Sequence, residues 1–248
     1  MTVTPTNPTF PEFAGHFPVL RKLDFFNHAG VAPISGPAAA ALEEYARQAS
    51  ESAYVDAGWY RRANQVKGLA ADLIGAQGPH EIAFVPNTST GLAMVAKGLE
   101  MRPGDRVVIT DVEYPANRYP WEDLKRWGVE VIEVPQDDDG RVSVEAVCDA
   151  VNDRTRAVAI SHVQYASGFC IDLRPIADMV HQAGGYLCVD AIQSCGVRPV
   201  DVEAMGIDFL AADGHKWMLG PEGLGFFYCR AELCDRLHPN VVGWNSKR

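Results

Sequence analysis

Two polar side chains of the sequence follow apolar runs that have the length and composition of buried strands. Asp190 comes directly after residues 187–189, and Lys216 follows residues 209–212. A carboxylate at the end of an apolar strand is costly to bury without a partner. A desolvated lysine has a lowered pKa and can attack a carbonyl group to form a Schiff base. The alternative for Lys216 is an ordinary surface lysine, whereas Asp190 and its near neighbour Gln193 can face one ligand.

Hydroxyl, aromatic and imidazole groups occupy equivalent positions after three other apolar runs. Thr88 and Ser89 precede a helical segment, where hydroxyl groups and free amides form an anion site; the alternative is an ordinary helix cap. Tyr114 can stack on a flat ligand, and the alternative is a packing residue. His162 is a candidate ligand contact, and the alternative is a half-buried histidine with satisfied hydrogen bonds.

Taken together, these residues form the set that one cofactor needs. Pyridoxal phosphate requires an anion cradle, a stacking face, an aspartate at the pyridine nitrogen, a donor to the ring oxygen and a lysine. Ligands of parallel sheets bind at the carboxyl ends of the strands, where all of these residues lie. The sequence therefore predicts a pyridoxal phosphate site.

The elements that must position these residues alternate between strands and helices. Seven apolar runs predict strands at residues 82–85, 107–110, 129–134, 157–162, 186–189, 209–212 and 225–229. Helices are predicted at residues 59–74, 91–99, 121–127, 144–151 and 176–183, and another is predicted to start after Ser35. This alternation predicts an α/β fold with a mostly parallel sheet of about seven strands and helices on both faces. The short Gly/Pro-rich connection before the last strand predicts that this strand is antiparallel. A short strand is also predicted within residues 25–30.

The motifs resemble those of the class V aminotransferase family of fold-type I pyridoxal phosphate enzymes, which includes cysteine desulfurases, isopenicillin N epimerase-like proteins and kynureninases. The matching stretches are residues 27–30, 87–91, 113–117, 189–194 and 213–221. The resemblance implies that Lys216 forms the Schiff base and moves the α-proton of the substrate. It also implies that Asp190 keeps the pyridine nitrogen protonated and that Gln193 contacts the ring oxygen.

The resemblance assigns further side chains to the cofactor and the substrate. The phosphate would be held by Thr88, Ser89 and His215, the ring would stack on Tyr114, and the substrate side would be lined by Asn27 and His28. His162 is also expected at the cofactor. Some relatives carry a phosphate-binding serine where this chain has Asp213, so this carboxylate is expected to point elsewhere or the phosphate contacts differ. Relatives commonly have an asparagine where this chain has Tyr165.

The resemblance also suggests a division of the chain. Residues 1–34 are expected to form a segment that lines the active site, and residues 35–248 are expected to form the cofactor-binding large domain of the fold-type I class. The chain is expected to end near the link to a small C-terminal domain, which in relatives carries the arginine that binds the substrate carboxylate. In desulfurases it also carries the catalytic cysteine, and none of the six cysteines of this chain takes that position.

Composition limits the classes of partner. The 248 residues contain 22 Lys and Arg against 32 Asp and Glu, a net charge of −10, which argues against nucleic acid and anionic membranes. The six cysteines form no CxxC pair, so no metal site is expected, and reduced thiols in a cytoplasmic protein are the simplest interpretation. The family resemblance predicts a homodimer, with residues 243–246 near the partner's phosphate.

The favoured function is that of a pyridoxal phosphate enzyme acting on a small amino acid, as an aminotransferase or an isopenicillin N epimerase-like enzyme. One alternative is a truncated protein that binds the cofactor without turnover, and another is a cysteine desulfurase or lyase if a C-terminal domain exists. A nucleotide-binding protein is disfavoured, because no GxGxxG motif follows a strand and no Walker A motif is present.

Overall fold

A computed structural model describes residues 11–53, 55 and 57–243. Within these ranges the chain folds around one seven-stranded sheet with the order β1-β7-β6-β5-β4-β2-β3. The strands are β1 (Ile82–Val85), β2 (Arg106–Thr110), β3 (Glu130–Val134), β4 (Thr155–Ser161), β5 (Tyr186–Asp190), β6 (Phe209–Asp213) and β7 (Gly225–Cys229). The seven predicted strands are confirmed, with ends that differ from the prediction by at most two residues.

The sheet is parallel except at one strand. β7 pairs antiparallel with both β6 and β1, which confirms the antiparallel seventh strand. The connection from β6 to β7 is too short for a crossover helix, because a parallel pair needs a connection of a dozen or more residues. The carboxyl ends of the other strands consequently meet at one edge of the sheet.

Helices cover both faces of the sheet. They are α1 (Pro11–Ala14), α2 (Gly36–Glu51), α3 (Trp59–Ile74), α4 (Thr88–Gly98), α5 (Pro115–Glu122), α6 (Val144–Asp149), α7 (Arg174–Gln182) and α8 (Val202–Met205). The Ser35 hydroxyl accepts a hydrogen bond from the Ala38 N–H at 3.2 Å, so the predicted start of α2 is confirmed. α3 ends before Gly75, whose φ of 65° lies in the left-handed region.

Two helices begin earlier than predicted. α4 starts at Thr88 instead of Gly91 because the Asn87 side chain caps it, accepting a hydrogen bond from the Thr90 N–H at 2.8 Å. α5 starts at Pro115 instead of residue 121, since proline is well tolerated in the first turn of a helix. These earlier starts bring both helix N-termini close to the ends of β1 and β2.

Consecutive residues of the central strands face opposite sides of the sheet and form two separate cores. Leu187 and Leu210 belong to the core beneath α7, whereas Cys188 and Phe209 belong to the core beneath α4. These strands are nearly continuous apolar runs because both faces are covered. The side chains that follow the runs are therefore held on a rigid, fully buried frame.

The short strand predicted within residues 25–30 does not form. Phe26 is 87% exposed and residues 28–30 form a turn, because the segment packs against the loop after β6 instead of pairing with a strand. The Ala32 N–H donates to the His215 carbonyl at 2.8 Å. Residues 1–10, part of the segment expected to line the active site, and residues 244–246, expected near a partner's phosphate, lie outside the described ranges.

None of the helices described by the structure combines the length and apolar character needed to cross a bilayer.

Candidate functional site

A cavity of about 410 Å³ opens at the carboxyl edge of the sheet. Its walls come from the N-terminal segment and from the loops after β1, β2, β4, β5 and β6. The lining residues are Ala29, Gly30, Val31, Asn87, Thr88, Ser89, Tyr114, Ala116, Tyr165, Asp190, Ile192, Gln193, Asp213, His215 and Lys216. Seven residues predicted for catalysis or cofactor binding thus line one cavity, although they are spread over 129 positions of sequence from Thr88 to Lys216.

Lys216 lies in the cavity wall with only 9% of its surface exposed. Burial lowers its pKa, while the negative charges of Asp190 and Asp213 partly oppose that effect. No carboxylate lies within ion-pair distance of its ammonium group in the described part of the chain. The Nζ atom lies 5.6 Å from the centre of the Tyr114 ring. Lys216 is therefore a partly desolvated amine facing an aromatic surface, as nucleophilic chemistry requires.

Asp190 is the last residue of β5 and is almost completely buried. Its carboxylate accepts a hydrogen bond from the Ile192 N–H at 3.0 Å. Burial raises its pKa from 3.8 to about 7, the nearby charge of Glu113 adds to the rise, and that hydrogen bond and Lys216 oppose it. A cationic N–H group in the cavity would offset this desolvation, since an opposite charge favours the ionised form.

The N-terminus of α4 forms the anion end of the cavity. Thr88 and Ser89 lie in its first turn, where free N–H groups and the helix dipole favour a negative charge. The Thr88 hydroxyl also accepts a hydrogen bond from the Asp213 N–H at 3.0 Å, which ties α4 to the end of β6. The helix is eleven residues long, and its packing against β6 fixes the direction of these groups.

Asp213 is among the residues that line this cavity. Of the two alternatives expected for this carboxylate, that it points elsewhere does not hold, and that the phosphate contacts differ stays a prediction. The Oδ2 atom of Asp213 lies 3.0 Å from Nδ1 of His215. Its Oδ1 atom is buried without a hydrogen-bond partner among the described residues. The side chain points inward because Asp213 is the last residue of β6 and its N–H is held by Thr88.

Two tyrosines form an aromatic wall. The rings of Tyr114 and Tyr165 meet edge to face, with centres 5.1 Å apart. Tyr114 is 45% and Tyr165 is 47% exposed, so both present a free surface that a flat ligand can cover. Tyr165, where relatives commonly have asparagine, thus supports Tyr114 instead of offering an amide to the ligand.

Gln193 connects two walls of the cavity. Its Nε2 donates to the Ala29 carbonyl at 3.1 Å, and its Oε1 accepts from the Trp217 indole at 2.8 Å. The amide therefore anchors the N-terminal segment to the loop that carries Lys216. One Nε2 hydrogen is left for a ligand, so the predicted contact with a ring oxygen stays a prediction.

Three predicted residues are not among those that line the cavity. His162 is buried beside Cys170, with Nε2 and Sγ 3.4 Å apart, and burial and the charge of Arg198 lower its pKa. It was expected at the cofactor, but its ring lies against that thiol. Asn27 folds back to accept from the Gly30 N–H, and His28 stacks on Trp217 with ring centres 5.3 Å apart.

The N-terminal segment instead reaches the cavity through its next residues, Ala29, Gly30 and Val31. The placement of Asn27 and His28 does not support the substrate roles expected for them. Asn27 accepts a hydrogen bond within the turn, and His28 stacks on Trp217.

Glu113, a buried carboxylate next to Tyr114 in the chain, holds a network of hydrogen bonds that the sequence did not predict. It accepts hydrogen bonds from the Thr110 hydroxyl at 2.7 Å, Asn117 Nδ2 at 2.8 Å, the Ser161 hydroxyl at 2.6 Å and Gln164 Nε2 at 3.0 Å. These donors belong to β2, α5, β4 and the loop after β4. Glu113 thereby fixes the backbone position of the next residue, Tyr114. The four-residue spacing to Asn117 on a helix start was the available signal.

The cavity fits pyridoxal phosphate by the chemistry of its walls. A helix N-terminus with hydroxyl groups suits a phosphate, and the open Tyr114 face suits a ring. The buried acid of Asp190 lacks a cationic partner within ion-pair distance among the described residues, as expected of a group that pairs with a pyridinium. Lys216 supplies the amine. No cluster of metal-ligating side chains occurs in the part of the chain that the structure describes.

Comparison with known proteins agrees with this interpretation. The family model described as aminotransferase class-V matches residues 28–246. A probable cysteine desulfurase of Methanothermobacter thermautotrophicus is 36% identical over 233 residues, covering 91% of this chain and 58% of that protein. The uncharacterized aminotransferase YcbU of Bacillus subtilis is 32% identical over 231 residues, covering 92% of this chain and 60% of that protein.

Solved structures of similar proteins share the fold of this chain. The apo cysteine desulfurase of Thermococcus onnurineus superposes with a TM-score of 0.85 at 27% identity, covering 94% of this chain and 60% of that one. The cystine C–S lyase C-DES, in complex with its product cysteine persulfide, superposes with a TM-score of 0.80 at 25% identity, covering 92% and 62%. The chain spans about three fifths of the length of these relatives.

Proposed function

Because the chain belongs to the class V aminotransferase family, we propose that it binds pyridoxal phosphate in this cavity and acts on a small amino acid. The observation that carries the proposal is the meeting of a buried lysine, a buried aspartate and a helix N-terminus on one cavity wall. A cofactor with an aldehyde, a ring nitrogen and a phosphate matches those three features at once. When bound, it supplies an electron sink for negative charge that develops on the substrate.

Each residue that would hold the cofactor would contact a different part of it. Lys216 Nζ would bond to its aldehyde carbon, and Asp190 would accept a hydrogen bond from the ring N–H. The first turn of α4, with Thr88 and Ser89, would hold the phosphate together with His215. The open face of the Tyr114 ring would pack against the cofactor ring and exclude water from that side.

Lys216 is also the proposed proton carrier. Its lowered pKa keeps a larger share of the side chain in the neutral form than for an exposed lysine. In its neutral form, Lys216 Nζ would take a proton from the carbon next to the substrate amine. General bases work best when their pKa is close to the operating pH, so burial in the cavity wall suits Lys216 to this task.

Sulfur-containing amino acids are the first substrates to test. Relatives are described as cysteine desulfurases, and a structural neighbour is described as a cystine C–S lyase. None of the six cysteines is among the residues that line the cavity. A thiol that accepts sulfur is thus missing from the described lining, whereas C–S cleavage that releases sulfur in a small molecule does not need one.

A second candidate is cofactor binding without turnover. The substrate-carboxylate arginine expected from the family is not among the residues that line the cavity. In that case the protein would bind the cofactor and give no spectral response to any amino acid.

The test is the visible absorbance of the purified chain with added pyridoxal phosphate, before and after borohydride, with peptide mapping of the reduced product. We expect one adduct, on Lys216, and its loss in Lys216→Ala. Lys125→Ala, a change at a half-exposed surface lysine, should keep it. An adduct scattered over surface lysines would overturn the proposal.

An amino-acid panel on the loaded protein then separates the two candidates. Spectral shifts with L-cysteine, L-cystine or L-alanine support an enzyme, and the released products identify the reaction. Full turnover by Lys216→Ala would exclude the proposed role of this lysine.

We also propose the wider context of the site. Residues 1–34 form a segment that contributes Ala29, Gly30 and Val31 to the cavity wall, and residues 35–248 form the cofactor domain. A homodimer is proposed from the family resemblance. A cytoplasmic location is supported by the six free cysteines, three of them buried.

A further inference from the structure

Two of the six cysteines, Cys229 and Cys234, have thiols that share one hydrogen-bond acceptor. The Cys229 thiol donates to the Arg230 carbonyl at 3.6 Å, and the Cys234 thiol donates to the same oxygen at 3.7 Å. The Cys234 thiol also lies 3.8 Å from the Cys229 carbonyl. Rotation of these side chains can therefore bring the two sulfur atoms together. No other two cysteines share an acceptor in the part of the chain that the structure describes.

A short turn places the two thiols side by side. The residues Ala231–Leu233 form a single 3-10 turn directly after β7. The N–H of its first residue donates to the buried carboxylate of Glu81 at 2.8 Å, which fixes the turn to the start of β1. The chain thus reverses after β7 and returns Cys234 to Cys229. A disulfide requires this kind of approach between the two cysteines, because its bond geometry is narrow.

The pair lies away from the candidate active site. Cys229 ends the antiparallel strand β7, so it lies at the edge of the sheet opposite the strand ends that carry Asp190 and Lys216. Both thiols line another cavity, of about 210 Å³, together with side chains such as Met94. A reaction at these thiols is consequently distinct from the proposed function.

The two thiols differ in their access to solvent. Cys234 is exposed, whereas Cys229 is only 6% exposed. Burial raises the pKa of the Cys229 thiol, and the neighbouring Cys234 adds to the rise. Because the thiolate is the nucleophile in thiol–disulfide exchange, Cys234 is the thiol that an incoming molecule meets first. Cys229 is placed to react second, within the chain.

From this arrangement we propose that Cys229 and Cys234 form a reversible oxidation site that reacts with small-molecule disulfides. Cys234 loses its proton to solvent, attacks one sulfur of the small disulfide, and releases one small thiol as a mixed disulfide forms. Cys229 then loses its proton, attacks Cys234 Sγ and releases the second small thiol. The two protein thiols lose two electrons in total, and the small disulfide is reduced to two thiols.

The disulfide is expected to be easily reversed. It closes a loop of only a few residues, so it removes little conformational entropy from the unfolded chain. Cys234 is also open to an attacking thiol from solvent. Exposed disulfides with little stabilisation are the ones that respond to the surrounding redox conditions.

The experiment is oxidation of the full chain in glutathione buffers with increasing shares of glutathione disulfide, followed by alkylation of free thiols and tryptic peptide mapping. Trypsin cuts after Arg230, so Cys229 and Cys234 fall in peptides 217–230 and 231–236, each of which contains one cysteine. We expect these two peptides to be joined in the oxidised protein and to separate again on addition of reductant.

Variants test the order of attack. Cys229→Ser should stop the reaction after its first step and accumulate glutathione on Cys234, whereas Cys234→Ser should give no adduct on the buried Cys229. Cys148→Ser is the control, since this thiol contacts the Pro175 carbonyl instead, and it should still give the joined peptides. A wild type that keeps glutathione on Cys234, or joins either cysteine to a different one, overturns the inference. The wild-type peptide map decides this even where Cys229→Ser does not fold.

Discussion

Asp190 and Lys216 face one cavity, yet each carries a charge that its surroundings disfavour. The pKa of Asp190 rises to about 7 and that of Lys216 falls, in both cases chiefly because of burial. A cation next to Asp190 and a covalent bond at Lys216 would remove both penalties. Groups shifted toward neutral pH in a cavity are typical of functional sites.

The Asp190 pKa makes a prediction for the cofactor-free chain. Because the folded pKa lies above the ordinary value of 3.8, the folded state binds the proton more tightly than the unfolded state does. The ionisation of Asp190 therefore does not change the free energy of unfolding below pH 4. It lowers that free energy as the pH rises to about 7. Asp190→Asn should match the wild type near pH 4 and exceed it at pH 8, by on the order of 2–4 kcal/mol. Urea unfolding at the two pH values measures this difference.

An exposed aspartate provides the control for that measurement. Asp138→Asn, in the turn after β3, should change stability little at either pH. A stability difference for Asp190→Asn that is the same at pH 4 and pH 8 would contradict the assigned ionisation.

Glu113 should contribute more to stability than an average carboxylate. Glu113→Gln replaces an accepting oxygen by an NH₂ group that faces donors, so buried hydrogen bonds from residues such as Ser161 and Asn117 are lost. We expect a loss of about 2–4 kcal/mol in the free energy of unfolding, together with weaker cofactor stacking on Tyr114. Glu43→Gln on the exposed face of α2 is the matched control. Equal unfolding midpoints for the two variants would refute the buried network.

At the scale of elements, the packing of α4 against β6 sets the position of the anion end of the cavity. Gly91 sits in α4 above the sheet, and a Cβ there would lie 2.7 Å from Ala211 Cβ. Gly68 sits inside α3, and a Cβ there meets no atom within 4 Å. The same substitution at the two glycines should thus have opposite effects.

Gly91→Ala forces α4 away from β6 and should destabilise the protein by about 1–3 kcal/mol. Because Thr88 and Ser89 move with the helix, it should also weaken phosphate-dependent cofactor binding. Gly68→Ala should stabilise by about 0.5–1 kcal/mol, because alanine is the better helix former. Thermal unfolding of both variants checks the two signs. Destabilisation by both, or by neither, would show that α4 does not pack as described.

The elements were predictable from sequence to the degree that they depend on local patterns. Buried strands such as β5 and β6 are short apolar runs with polar ends, and Gly75 marks the end of α3. The starts of α4 and α5 were missed because they depend on a side-chain cap and on the first-turn proline. The contacts of Glu113 and the direction of Asp213 could not be predicted, since their partners come from elements that meet only in the folded chain.

The place of a candidate site residue could be predicted from the sequence where it follows from the end of a strand, whereas its role stays a prediction. Asp190 and Lys216 line the cavity because strand ends set their positions. His162 also ends a strand, but its ring lies against Cys170. Position along a strand therefore predicts which edge of the sheet a residue reaches, whereas the direction of its side chain needs the fold.

At the scale of the whole molecule, an exposed apolar face adjoins the loop that carries Lys216. Leu69 and Leu73 of α3 are 67% and 45% exposed, and Leu224 before β7 is 45% exposed. They border an apolar groove of about 410 Å³ that also includes Trp217 and Met218, the residues directly after Lys216. Contiguous apolar patches of this kind mark association surfaces. Association at this face would stabilise the loop that carries Lys216.

We expect the proposed homodimer to use this face. Leu69→Glu places a charge in the groove and should shift the protein from dimer to monomer, and the lysine loop should then bind the cofactor less tightly. Met179→Glu, at an apolar position on α7 that is 39% exposed, should leave the dimer intact. Sedimentation or light scattering of the cofactor-loaded proteins measures the change. If the wild type is monomeric, or if Leu69→Glu remains dimeric, this face is not the subunit contact, and a monomer with a silent cofactor spectrum would support the alternative of binding without turnover.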